Sequence, residues 1–157
     1  MSKDKSSRAE AYANVVGAAE IDFVRLVKSE FEASPEAAAR DQSKWKREFL
    51  FELVDHLYNR DLGRLHGFIQ ADAFCKLGRK KIISVKCRYI VSYRISGQPD
   101  NDAAFAFVQR MGKFSAYPYF RSHFSHVTSE AGLMLPPLPI MKDHPQRVWA
   151  APTEAPE

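Results

Sequence analysis

At 157 residues the chain has the length of one domain with one substantial core, and 45% apolar against 27% charged residues is ordinary for a folded soluble protein. No run approaches the roughly 20 apolar residues that span a bilayer, and the opening MSKDKSSRAE has no apolar stretch of the kind a secretory leader needs, so a cytoplasmic protein is expected. A net charge of +4 attracts acidic partners or nucleic acid through long-range fields without specifying either.

Residues 1–8 are polar and are expected to fray. AEAYANVVGAAE, from Ala9 to Glu20, is alanine-rich with an apolar stripe and predicts a short helix despite Gly17. IDFVRLVKSEFEASP is richer in β-branched and aromatic residues, and its close at Pro35 fits a strand over about Phe23–Glu32. Residues 36–44 read as a linker or a short helical piece.

KREFLFELVDHLYNRD is ambiguous. Phe49, Leu53 and Leu57 fit a helix face, while Phe49, Phe51, Leu53 and Leu57 fit strand parity broken by Asp55. A strand is preferred, because NRDLGR then supplies a hairpin and the next two runs continue a meander. RLHGFIQADAFCKL places Leu65, Ile69, Ala71, Ala73, Cys75 and Leu77 on one parity. KKIISVKCRYIVSYRI is the clearest element. Ile83, Val85, Cys87, Tyr89, Val91, Tyr93 and Ile95 alternate with Ser84, Lys86, Arg88, Ser92 and Arg94, so one face meets a core and the other meets water. The link LGRK suits a tight hairpin, and places Arg79, Lys80 and Lys81 in or beside a turn.

SGQPDND breaks the pattern and offers Asp100 or Asn101 as a helix cap before AAFAFVQRMGKF. A second helix is expected from about Pro118 to Ala131, with proline in its first turn and Gly132 as its stop. Prolines 136, 137 and 139 make 133–141 an extended apolar segment, and the tail 142–157 is expected to be flexible. The fold class is therefore α+β: an antiparallel sheet of about four strands followed by two C-terminal helices. The organisation is a polar N-terminus and short helix over 1–20, one domain over 21–141, and the tail.

Three stretches together resemble the SecB-like chaperone family: FEAS at 31–34, ISVKCRYIVSYRI at 83–95, and AFAFVQRMGKFSAYPYFRSHFSHVTSEAGLMLPPLP at 104–139. In that family a first strand ends in a similar Phe-Glu-Ala-Pro, an aromatic-Pro-Tyr-aromatic-Arg segment enters the last helix, and a proline-rich apolar loop follows. The resemblance implies a protein-export or toxin–antitoxin-associated chaperone. Such a holdase works without ATP or any other cofactor, assembles as a homotetramer, and binds unfolded or aggregation-prone polypeptide (an antitoxin or a preprotein) in an apolar groove. Export-type members are acidic where they dock on the SecA motor. This chain is basic, with Lys86, Arg88 and Arg94 on the exposed parity of its best strand, which argues against SecA as a partner.

The residue chemistry is compatible with that expectation. Aromatic rings offer large area with few rotatable bonds, and methionine adapts its shape. Tyr117, Tyr119, Phe120, Phe124, Leu133, Met134 and Leu135 are the candidate client-binding residues, some of which also suit core packing. No catalytic residue, metal or cofactor is expected. His123, His126 and Glu130 could share a helix face, but no HExxH is present, and solvated histidines are the simpler reading. Neither GxSxG nor a phosphate-binding loop occurs. Cys75 and Cys87 read as reduced thiols. Two other classes compete: a plain dimeric interaction module, and a basic nucleic-acid-binding module. The second is disfavoured because Tyr89 and Tyr93 share parity with the core and not with the cations.

Overall fold

The structure is a computed structural model that describes residues 2–39 and 41–141; the expected flexible tail at 142–157 lies outside them. The elements in chain order are α1 (Ser2–Ala18), β1 (Ala19–Ala33), a 3-10 turn (Pro35–Ala38), β2 (Trp45–Asn59), β3 (Arg64–Leu77), β4 (Lys80–Ile95) and α2 (Asn101–Glu130). The four strands form one antiparallel sheet in the order β1-β4-β3-β2. Three consecutive strands are the expected meander. The strand expected over about Phe23–Glu32 is β1, which pairs with β4 and not with its sequence neighbour β2, so β1 and β2 are both edge strands.

The fold class stands as read, with one difference in the helices. The two expected C-terminal helices are a single 30-residue helix that runs through Pro118. Proline there has no N–H for the carbonyl of Phe114, four residues back. The flanking residues outweigh that loss by packing, since Ala116, Tyr117 and Phe120 are all buried. A second correction concerns α1, which begins at Ser2 where fraying was expected and ends at Ala18. Lysine, arginine and glutamate are competent helix formers, but a polar turn carries no apolar periodicity to announce it.

The ambiguous segment 45–59 is a strand. Its parity does slip near Asp55: Leu53 lies at the cradle of Gly67, and His56, three residues on, meets the Phe105 ring at 4.5 Å. An odd separation on one face requires an extra residue between them, and Val54 and Asp55 are both exposed. The turn into β3 depends on Gly63. Its φ of 58° is in the left-handed region, and a Cβ there would stand 2.5 Å from the carbonyl oxygen of Ile95.

β3 alternates without exception from Arg64 to Lys76, and the odd positions of β4 from Ile83 to Ile95 are all buried. Leu77, counted on the core parity from sequence, is exposed at the hairpin. At the start of α2 the Asp100 carboxylate accepts the Ala103 N–H at 2.8 Å, the expected cap. At its end Gly132 has φ 70°; its N–H donates to Ser129 and the Leu133 N–H to Thr128, each at 2.9 Å, which satisfies the last carbonyls.

The described residues divide into two compact units, each discontinuous in sequence: the first takes its residues from 2–27, 52–70 and 88–116, the second from 28–51, 71–87 and 117–141. In the first, Val15 of α1 is buried, and Tyr93 meets Phe107 edge-on at 5.0 Å while its hydroxyl bonds Ser115 at 2.5 Å. Burial pushes that hydroxyl up to about 12. In the second, Ser34 N–H donates to the Ile82 carbonyl at 2.8 Å, and Phe120, Phe124 and Leu138 are fully buried. Burying each such side chain contributes about 1.5–3 kcal/mol.

Candidate client-binding site

The candidate residues fall in the second unit, where α2 from Tyr117 onward brings its aromatic face to the first half of β2. Phe51 meets the Tyr117 ring edge-on at 5.3 Å and the Phe120 ring at 5.8 Å, and Phe49 lies 6.3 Å from Tyr117. The helical spacing of Tyr117, Phe120 and Phe124 puts all three on one face, and all three are buried. Of the seven residues read from sequence, these three build the wall from inside. Tyr119, 54% exposed, and Met134, 89% exposed, present apolar surface to solvent. Leu133 and Leu135 are half-buried on the segment that follows the helix.

That segment is not loose. The Gln42 amide donates to the Met134 carbonyl at 2.8 Å, Arg121 Nε donates to the Leu138 carbonyl at 2.7 Å, and the Tyr117 hydroxyl donates to the Pro139 carbonyl at 2.5 Å. Burial pushes the Tyr117 hydroxyl up to about 12, so it remains a proton donor through the neutral range. Leu138 is fully buried between the last two of these bonds, and Ile140 beyond it is 74% exposed. Gln42, Arg121, Leu138 and Ile140 were not singled out from sequence. Arg121 stands inside the quoted aromatic-Pro-Tyr-aromatic-Arg stretch, which was the one available signal; nothing local marks Gln42, 92 residues from the carbonyl it reaches.

The histidines do different things. His123 Nε2 and the Ser29 hydroxyl share a hydrogen bond of 2.7 Å, which ties the edge strand β1 to α2 within this unit. Burial, with the neighbouring His126, holds the His123 imidazole below its ordinary value. His126 pairs with Glu130 at 3.6 Å, both well exposed. The three side chains that could share a face therefore do not converge, and among the described residues no group of three or more His, Cys, Asp or Glu could hold a metal ion. Cys75 and Cys87 are buried free thiols, and burial pushes Cys75 up to about 11, far from a reactive thiolate.

Lys80 and Lys81, which open β4, are engaged locally. Lys80 pairs with Glu36 at 2.5 Å, and Lys81 lies 4.3 Å from the centre of the Phe74 ring. The pair holds the Glu36 carboxyl down at about 2. Tyr89 and Tyr93 are buried while Lys86, Arg88 and Arg94 are exposed, the separation that disfavours a base-stacking platform built from those tyrosines. No helix among the described residues is long and apolar enough to cross a membrane.

A four-stranded antiparallel sheet in this order, followed by a long helix and an apolar proline-rich segment, is the SecB-like fold. Among the solved structures of similar fold is a Mycobacterium tuberculosis SecB-like chaperone in complex with a ChAD peptide from the HigA1 antitoxin. The TM-score is 0.73 at 15% identity, over 86% of this chain and 99% of that one. The resemblance read from the sequence is borne out at the level of fold. No protein-family model and no curated protein matches the sequence.

Proposed function

We propose that this chain is an ATP-independent holdase that binds unfolded or aggregation-prone polypeptide along the surface formed by the second half of α2 and the segment 133–141. The observation that carries the reading is the exposure of Tyr119, Met134 and Ile140 around a buried aromatic wall. Exposed large apolar groups beside a well-packed core mark an interaction surface. Aromatic and methionine side chains suit many client sequences, because they supply area without directional demands. The solved neighbour of the same fold holds an antitoxin peptide, which supports a polypeptide client here, with an antitoxin a better fit than an export precursor. The basic charge balance argues against docking on SecA. Self-assembly into a homotetramer and a cytoplasmic location belong to the same reading, as does the absence of a catalytic role or cofactor.

The test is binding of the purified protein to a permanently unfolded polypeptide and to its folded form, at low and high salt. Salt-resistant binding to the unfolded form alone is the expected result. Binding to neither form would overturn the reading. Association that salt abolishes, with nucleic acid as the better ligand, would point instead to the basic-module alternative.

A further inference from the structure

We infer that the segment Met134–Pro139 occupies, in cis, a binding site for extended, proline-containing apolar peptides, and that a client enters this site by displacing it. The inference rests on the holdase reading for the identity of the client, but the site itself is argued from the bonds that hold the segment.

Among the described residues three side chains grip the segment, each through a backbone carbonyl and each as a donor: the Gln42 amide, the Arg121 Nε–H and the Tyr117 hydroxyl. The carbonyls they grip span Met134 to Pro139, a stretch in which Pro136, Pro137 and Pro139 have no N–H to offer. A proline-rich extended chain has more carbonyls to satisfy than donors to give. A rail made of donors alone fits such a chain and fits an ordinary strand poorly, because a strand brings an N–H for every carbonyl. Leu138 is the one side chain of the segment that is fully buried, with Leu135, Pro136 and Pro139 half-buried around it. The ligand class that follows is an apolar residue flanked by prolines, in extended conformation.

The rail is organised independently of what lies on it. Tyr117 and Arg121 stand one turn apart on α2, so they share a face. The Tyr117 ring is set by Phe49 and Phe51. Arg47 Nη2 donates to the Gln42 Oε1 at 2.8 Å, which turns the amide NH2 toward Met134. The occupant, in contrast, has no regular secondary structure from Leu133 to Met141, one fully buried anchor, and exposed side chains at Met134 and Ile140 on either side of it. A pre-set rail holding an irregular segment by one side chain and three carbonyls has the form of a receptor with a tethered, replaceable ligand. Release of the segment would free the donors and the Leu138 socket together, beside the exposed Tyr119 of the same helix.

The experiment uses the full chain in three forms: unaltered, Leu138→Ala, and Pro137→Gly. Pro137 is exposed, so its replacement loosens the segment by raising the freedom of the released state while leaving the core contacts in place, and it covers the case in which Leu138→Ala fails to fold. The probe is a fluorescent peptide with the sequence of residues 133–141, alongside a version with its three prolines changed to alanine; an unfolded, reduced and alkylated protein serves as competitor. Both variants are expected to bind the peptide about tenfold more tightly than the unaltered chain, because the intramolecular competitor has been weakened. The alanine peptide is expected to lose most of that affinity, and the unfolded protein to displace the probe. Equal, negligible peptide binding by all three forms, with unfolded protein held as before, would overturn the inference and leave the holdase reading intact. Equal affinity for the proline and alanine peptides would overturn the assigned ligand class. Tight peptide binding by the variants, with no form holding unfolded protein, would uphold the site and overturn the holdase reading.

Discussion

The two halves of α2 come from one continuous helix yet are built to different specifications. From Asn101 to Ala116 the buried positions are Ala103, Ala104, Phe107, Val108, Gly112 and Ala116, mostly small residues that allow close approach. One close approach is at Gly67 of β3, where a Cβ would stand 2.6 Å from a Val108 methyl and 3.2 Å from Leu53. From Tyr117 onward the buried positions are the large aromatics Tyr117, Phe120 and Phe124, with Thr128 a turn further on, and Tyr117 and Arg121 also send polar tips to the backbone of another segment. A helix face of small residues leaves nothing to offer a partner once it has closed on the sheet. A face of aromatics with donor tips keeps part of its bonding capacity directed outward. The contrast assigns structure to the first half and recognition to the second, and each of the following changes tests that division.

The largest effect is expected inside the recognition half, where the aromatic wall is itself core. Phe120→Ala should cost about 3–5 kcal/mol in denaturant unfolding, because the residue is fully buried and the cavity cannot collapse onto a stiff strand. Gly67→Ala should come next, at about 1–3 kcal/mol, since β-branched Val108 cannot swing aside cheaply. It should leave client affinity per folded molecule unchanged. Tyr117→Phe keeps the ring and removes only the donor to Pro139, so about 1 kcal/mol of stability is expected to go. Tyr119→Ser should move stability by less than about 0.5 kcal/mol, as the side chain is exposed, but should weaken binding of an unfolded polypeptide about tenfold.

The smallest effect concerns pH. The folded His123 binds its proton less readily than a free imidazole, because burial and His126 oppose the charge. The unfolded chain therefore takes up more protons below the ordinary imidazole value. This contribution is intact above that value and is lost as pH falls beneath it. A melting temperature followed from neutral to mildly acidic pH should decline, and His123→Gln should flatten the decline. An unchanged slope would show that the bond between Ser29 and His123 carries no such linkage.

Much of the fold was legible because the sheet writes itself in period two. The alternation from Ile83 to Ile95 is unbroken on the helix-facing side, and the hairpins are marked by glycines that turn geometry requires. The cap at Asp100 and the stop at Gly132 were legible for the same reason, since both are local chemistry. Two features were not. The union of two expected helices across Pro118 depends on tertiary packing that outweighs a proline, and no local rule reports that balance. The rail of Gln42, Tyr117 and Arg121 joins residues far apart in sequence through backbone carbonyls, which carry no side-chain signature. Tyr117 was chosen for its ring, and its hydroxyl proved equally informative.

Amide hydrogen exchange of the intact chain, with and without saturating unfolded polypeptide, tests the division of α2 most directly. Altered protection is predicted within residues 117–141, with residues 101–116 unchanged. Changes confined to 101–116, or none in 117–141 while the polypeptide is demonstrably bound, would contradict the assignment of recognition to the second half of the helix.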